Sequence, residues 1–154
     1  MLVRLLPSQI PDHWEIIQES IEASVPPTAV LGDLGINRVL ESLLTGVLQC
    51  WISYNEEEGV NGIVCTRLLE DDVSRTRNLL IYSVYAVGKT SRDDWVEGLG
   101  TLQRYALGLQ CNQIVAYTEV DYIISIVKRL GGTAGTFLSI PVIKNLSKVA
   151  DEDI

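Results

Sequence analysis

Residues 79–109 read LLIYSVYAVGKTSRDDWVEGLGTLQRYALGL, and the hydrophobic period changes within that stretch. Leu79 to Val87 is the longest β-favouring run in the chain, and Gly88-Lys89-Thr90 interrupts it. Ser91-Arg92-Asp93-Asp94 then has the S-x-x-D form of a capping box, and Trp95, Leu99, Leu102, Ala106 and Leu109 recur at helical spacing. The stretch therefore predicts a strand over 79–87 that feeds a helix over about 92–110 through a short turn.

Upstream, LVRLL at 2–6 is strand-like and stops at Pro7. Pro11 stands where a first helical residue belongs, and Trp14, Ile17 and Ile21 give a helix over about 11–24 that Pro26-Pro27 ends. Ile36, Val39, Leu40, Leu43, Leu44 and Val47 give a second helix over 34–45, closing near Gly46. Leu48–Tyr54 and Val60–Leu69 flank the charged turn Asn55 to Gly59 as a hairpin, and with 79–87 they predict three consecutive antiparallel strands. Downstream, Gln113–Glu119 is a strand, Val120–Leu130 a fourth helix closed by Gly131-Gly132, and Thr136–Ile143 a final strand. The order β-α-α-β-β-β-α-β-α-β predicts a mixed α/β fold, a mostly antiparallel sheet with helices on both faces. Residues 1–146 read as a single domain and 147–154 as an acidic tail.

The chain has 154 residues, 47% hydrophobic and 21% charged, the composition of one globular domain. Twelve Lys and Arg against 20 Asp and Glu give a net charge of -8, which sets nucleic acid and anionic membranes aside as partners. The single His13 leaves no His cluster for a metal, and it reads as a surface residue of the first helical turn. Cys50, Cys65 and Cys111 lie in apolar runs without CxxC spacing and read as buried thiols of a reducing compartment. MLVRLLPSQIPDHW lacks a secretory h-region and no 18-residue apolar run occurs, so a cytoplasmic location is expected. Gly88-Lys89-Thr90 mimics the end of a P-loop, but Ser83 stands where its first glycine belongs. Asp71-Asp72 and Asp93-Asp94 lack calcium-loop spacing and read as turn and cap. Arg67, Arg75, Arg77, Lys89 and Arg92 could form a basic edge at one end of the sheet.

From Leu2 to about Ile143 this element order resembles the GNAT superfamily of acyl-CoA-dependent N-acetyltransferases. Leu79 through Ala106 to Val115 is similar to that family's central strand, third helix and next strand, and Lys128-Arg129-Leu130-Gly131 to the end of its fourth helix, with Gly132 where an aromatic is usual. The resemblance implies acetyl-CoA as cosubstrate: the strand backbone around Tyr85 to Val87 would hold pantetheine, and the turn Gly88, Lys89, Thr90 and Ser91 the pyrophosphate. It offers Glu119 as a base and Tyr122, on the fourth helix, as a second candidate catalytic group.

The departures bear on function. The family's phosphate loop has Arg or Gln, two residues, Gly, one residue, then Gly or Ala; the similar spacing here is Trp95-Val96-Glu97-Gly98-Leu99-Gly100, with a Trp and a carboxylate inside it. The capping box at Ser91 places that segment within a helix, and Val127 and Val120 occupy positions where the family often has Tyr and Asn. These features favour a non-catalytic binding or assembly component with a protein partner; the alternative is an active N-acetyltransferase acting on an amine. GNAT-like chains with a Trp-led third helix also resemble some encoded by bacteriophages, which would place the protein in the host cytoplasm or a virion.

Overall fold

The computed structural model describes residues 1–145 and 147. Its order is β1 (Leu2–Arg4), α1 (Trp14–Ser24), α2 (Gly32–Thr45), β2 (Leu48–Asn55), β3 (Gly59–Asp71), β4 (Thr76–Ala86), α3 (Arg92–Gly108), β5 (Gln113–Ala116) and α4 (Asp121–Arg129), with single 3-10 turns at Pro7–Gln9 and Pro11–His13. The five strands follow one another across the sheet in sequence order; β1 to β4 pair antiparallel and β5 joins β4 in parallel.

Local chemistry sets the boundaries. Gly46 closes α2 at φ 84°, a conformation that glycine adopts at no steric cost. In the β3–β4 turn, Asp71 Oδ1 accepts the N–H groups of Val73 and Ser74 at 2.9 and 3.1 Å. Ser91 caps α3 reciprocally: its Oγ accepts from the Asp94 N–H at 3.1 Å, and its own N–H donates to Asp94 Oδ2 at 2.9 Å. The helix continues unbroken through Gly98 and Gly100.

Strand alternation sends side chains to two cores. Leu48, Cys50 and Ile52 of β2 join Ile63 and Cys65 of β3 beneath α1 and α2, where Ile17, Ile21 and Leu43 are fully buried. Trp51, Leu2 and Leu79 pack with Leu102 and Ala106 of α3 in the other. Burial of each large aliphatic side chain contributes about 1.5–3 kcal/mol. The second core also carries a polar relay: Trp51 Nε1–H donates to Thr66 Oγ1, and Thr66 donates to Gln49 Oε1, both at 3.0 Å, while Gln49 Nε2 donates to the Gly46 carbonyl at 2.8 Å.

Two expectations are corrected. β5 ends at Ala116 rather than Glu119, because pairing to β4 stops there. The final strand expected over 136–143 does not form among the described residues: the sheet has five strands, β1 to β5, Pro141 has no N–H to offer a sixth, and Leu138, Ile140 and Val142 are exposed. The tail expected over 147–154 lies outside the described residues apart from Ser147.

The chain divides into two compact units, Met1–Tyr117 and Thr118–Ile154; the sheet and both cores belong to the first, and α4 to the second. Gly131, at φ 85°, ends α4. A Cβ on Gly132 would lie 2.6 Å from Val127 Cγ1 and 2.9 Å from the Val127 carbonyl oxygen, so any side chain there would force the turn to shift. No helix among the described residues is long and apolar enough to cross a membrane.

Candidate functional site

The site begins where β4 parts from β5. Cys65 faces Ser83 across β3–β4 while the adjacent Thr66 faces Ile81, so Tyr82 is an extra residue on β4, a β-bulge. The β4–β5 ladder runs from Asn78–Gln113 to Ile81–Ala116 and stops immediately before it. Beyond Ile81, β4 remains paired to β3 as far as Ala86, leaving its other edge open. The ladder phase identifies the groups on that edge. The Val87 N–H donates to the Asn61 carbonyl at 3.0 Å, so the odd-numbered residues Ser83, Tyr85 and Val87 turn their backbone groups toward β3. Val84 and Ala86 turn theirs to the open edge, which can pair with the amides of an extended ligand as a strand would. Of the span expected to face pantetheine, Tyr85 to Val87, the backbone groups of Tyr85 and Val87 turn toward β3 and those of Ala86 to the open edge. The Tyr85 side chain instead donates from its hydroxyl to Glu19 Oε1 of α1 at 3.3 Å.

At the end of the open edge lies the turn Gly88 to Ser91. The N–H groups of Gly88, Lys89 and Thr90 have no acceptor among the described residues, and Lys89 is exposed beside them. The Ser91 N–H is occupied by Asp94, and Thr90 Oγ1 accepts from Trp95 Nε1–H at 3.1 Å. Carboxylates crowd this end. Asp93 and Asp94 stand in the first turn of α3, and Glu58 Oε2 is 3.3 Å from where a Gly88 Cβ would be. The Ser91 N–H, then the Ser91 hydroxyl, hold the Asp94 carboxyl below the ordinary carboxylate range, which keeps it ionised. Glu97 faces the chain's amino terminus, 3.7 Å from the Met1 nitrogen, both groups being solvent-exposed. Beneath the turn, a cavity of about 70 Å³ between α3 and the sheet is lined by Trp95, Gly98, Leu99, Val84 and Ala86 among others.

The remaining expected residues are dispersed. Glu119 and Tyr122 belong to the second unit, both exposed, Glu119 between β5 and α4 and Tyr122 in the first turn of α4. His13 Nδ1 bonds the Gln9 carbonyl at 3.0 Å. The basic edge does not assemble as one group: Arg77 pairs with Glu70 at 3.0 Å and donates to the Leu109 carbonyl at 2.9 Å, whereas Arg67 lines a separate cavity with Arg38 and Tyr82. Cys50 and Cys65 are direct cross-strand neighbours, both buried and unbridged. Hydrogen bonding to Cys65, then burial, pushes the Cys50 thiol far up. No group of three or more His, Cys, Asp or Glu among the described residues could hold a metal ion.

No protein-family model matches this sequence, and no curated protein matches it. Solved structures do. AAC(6')-Iy, in complex with the bisubstrate analogue CoA-S-monomethyl-acetylneamine, superposes with a TM-score of 0.67 at 12% identity over 94% of this chain and 97% of its own. An aminoglycoside acetyltransferase from an uncultured soil metagenomic sample, in complex with trehalose, gives 0.65 at 13% identity over 94% and 95%. A ribosomal-protein-alanine N-acetyltransferase from Brucella melitensis biovar Abortus 2308 gives 0.60 at 12% identity over 93% and 99%. The fold of this chain is that of the GNAT acetyltransferases.

Proposed function

We propose that this chain binds acetyl-CoA along the open edge of β4 and transfers the acetyl group to an amine. The observation that carries the reading is the coincidence of the Tyr82 bulge with the end of the β4–β5 ladder, which leaves Val84 and Ala86 free to hold an extended, amide-containing ligand. The N–H groups of Gly88, Lys89 and Thr90, with the Lys89 ammonium, would meet the diphosphate. Acetyl-CoA supplies an activated thioester: the amine forms the C–N bond as the C–S bond breaks, and the thiolate takes up the proton that the amine loses. Rate then comes chiefly from holding the two reactants in line, an effect worth up to about 7–11 kcal/mol in well-oriented systems.

A second reading, a binding or assembly component that transfers nothing, draws support from the carboxylates at the phosphate end. Asp93, Asp94 and Glu58 oppose a diphosphate, and the Ser91 cap uses donors that such a group would need. A protein partner, including one in a phage virion, belongs to this reading.

Isothermal titration of the folded protein with acetyl-CoA and with CoA tests the choice. A micromolar dissociation constant supports transfer and justifies an acceptor screen; absence of heat up to millimolar ligand refutes it and leaves the second reading.

A further inference from the structure

A second cavity, of about 230 Å³, is lined by Leu31, by Arg38 and Ser42 of α2, by Leu48 of β2, by Arg67 of β3 and by Tyr82 of β4, among others. No Asp or Glu lines it. Neither guanidinium makes an ion pair or a side-chain hydrogen bond among the described residues, and the Tyr82 hydroxyl has no hydrogen-bond partner there. Ser42 is already used, donating to the Arg38 carbonyl at 2.8 Å. Among the described residues Arg77 alone of the Lys and Arg side chains makes an ion pair, so what sets Arg38 and Arg67 apart is that both line one cavity that no carboxylate lines. Arg presents a planar fork of donors suited to a carboxylate or a phosphate; Arg38 and Arg67 are both solvent-exposed, and the apolar Leu31, Val39 and Leu48 form walls beside them. Burial holds the Tyr82 phenol above its ordinary pKa against the pull of Arg67, so it remains a neutral O–H donor.

We propose that this cavity is an anion site in which Arg38, Arg67 and the Tyr82 hydroxyl grip the carboxylate or phosphate of a small ligand. Ligand pockets for drug-sized molecules run to roughly 300–1,000 Å³, so the space suits a head group with a short chain. The site is separate from the open edge and does not depend on acetyl transfer, although Tyr82 borders both. In a chain that transfers acetyl groups, it would select an amine that also carries an oxyanion.

The test is calorimetric titration of the full chain with inorganic phosphate and, separately, with succinate, ionic strength being held constant with chloride. Saturable millimolar binding is expected, and whichever probe binds identifies the chemistry. Arg38→Gln and Arg67→Gln should each weaken it about tenfold or more, with acetyl-CoA binding unchanged and melting temperatures within about 2 °C of the parent. Absence of binding by both probes overturns the proposal, as does wild-type binding in both variants. Loss of acetyl-CoA binding in the same variants also overturns it, since the arginines would then serve the CoA phosphates. Should a variant fail to fold, amide shift mapping of the parent decides: perturbation centred on residues 38, 67 and 82 supports the site, and perturbation elsewhere refutes it.

Discussion

Replacing Gly98 and Gly100 by alanine tests the central structural assignment, that the G-x-G spacing belongs to a helix rather than to a phosphate loop. Both residues lie inside α3. A Cβ on Gly98 would meet only Leu2 Cδ2, at 4.0 Å, and one on Gly100 only Arg104 Nη1, at 3.7 Å, the end of a flexible side chain. Neither has a positive φ, so alanine adopts the backbone without strain. Glycine costs about 0.8–1.0 kcal/mol relative to alanine in a helix interior, so the double variant should gain about 1.5–2 kcal/mol. In a chain of 154 residues this raises the melting temperature by about 3–8 °C. The assays are thermal unfolding followed by circular dichroism, and acetyl-CoA titration of the same preparation. A helix predicts higher stability and unchanged affinity. A phosphate loop predicts the reverse, because added methyl groups would hold a diphosphate off the backbone; lowered stability, or affinity lost from a folded variant, would refute the assignment.

Other expectations follow from single contacts. Val87→Pro removes the N–H bonded to Asn61 and should cost about 1–3 kcal/mol in urea unfolding, whereas Ala86→Pro, at the open edge, should cost less while weakening acetyl-CoA; equal costs would show that the ladder phase is wrong. Thr66→Val keeps the side-chain shape but leaves Trp51 Nε1–H and Gln49 Oε1 buried and unpaired, for a loss of about 2–4 kcal/mol; an unchanged urea midpoint would contradict the relay. The Asp94 carboxyl is depressed on folding, so its contribution to stability is complete above the ordinary carboxylate pKa and disappears as pH falls through the folded value. Carboxyl NMR should show Asp94 titrating below the ordinary range, and nearer to it in Ser91→Ala. Cys50 and Cys65 should resist a thiol reagent until the protein is unfolded, and prompt reaction in the native state would show that their core opens.

Most of the architecture was legible because local signals agreed with one another. Ser91 and Asp94 announced the start of α3, Gly46 the end of α2, and the charged turn Asn55 to Gly59 the hairpin of β2 and β3. The final strand misled because Thr136 to Ile143 has strand-like side chains, whereas side-chain type alone does not commit a segment to a sheet and Pro141 lies within it. The site was less legible still. The bulge at Tyr82 depends on how β3 and β4 align across the sheet, and nothing in LLIYSVYAV marks one residue as extra. That single insertion sets which backbone groups reach the open edge, and it follows from the alignment of two strands rather than from either strand alone. Arg38 and Arg67 lie far apart in sequence, and their convergence follows from α2 crossing the sheet.

Charge distribution, rather than total charge, separates the two candidate ligand regions on β4. A net charge of -8 says that the chain as a whole repels anions, and the C-terminal end of β4 agrees, with Glu58, Asp93 and Asp94 near a turn whose nearest cation is Lys89. At the bulge the sign reverses: two guanidinium groups line a cavity without a carboxylate. Exposed charges more than about 8–10 Å apart are largely screened at physiological salt, so it is the charges nearest each region that decide its sign. The same screening means that the Glu58, Asp93 and Asp94 group acts mainly on what enters the Gly88–Ser91 turn. An acyl-CoA bound here would therefore depend more on the open-edge amides of Val84 and Ala86 than on its diphosphate, and its affinity should vary less with salt than that of a ligand held by phosphate contacts.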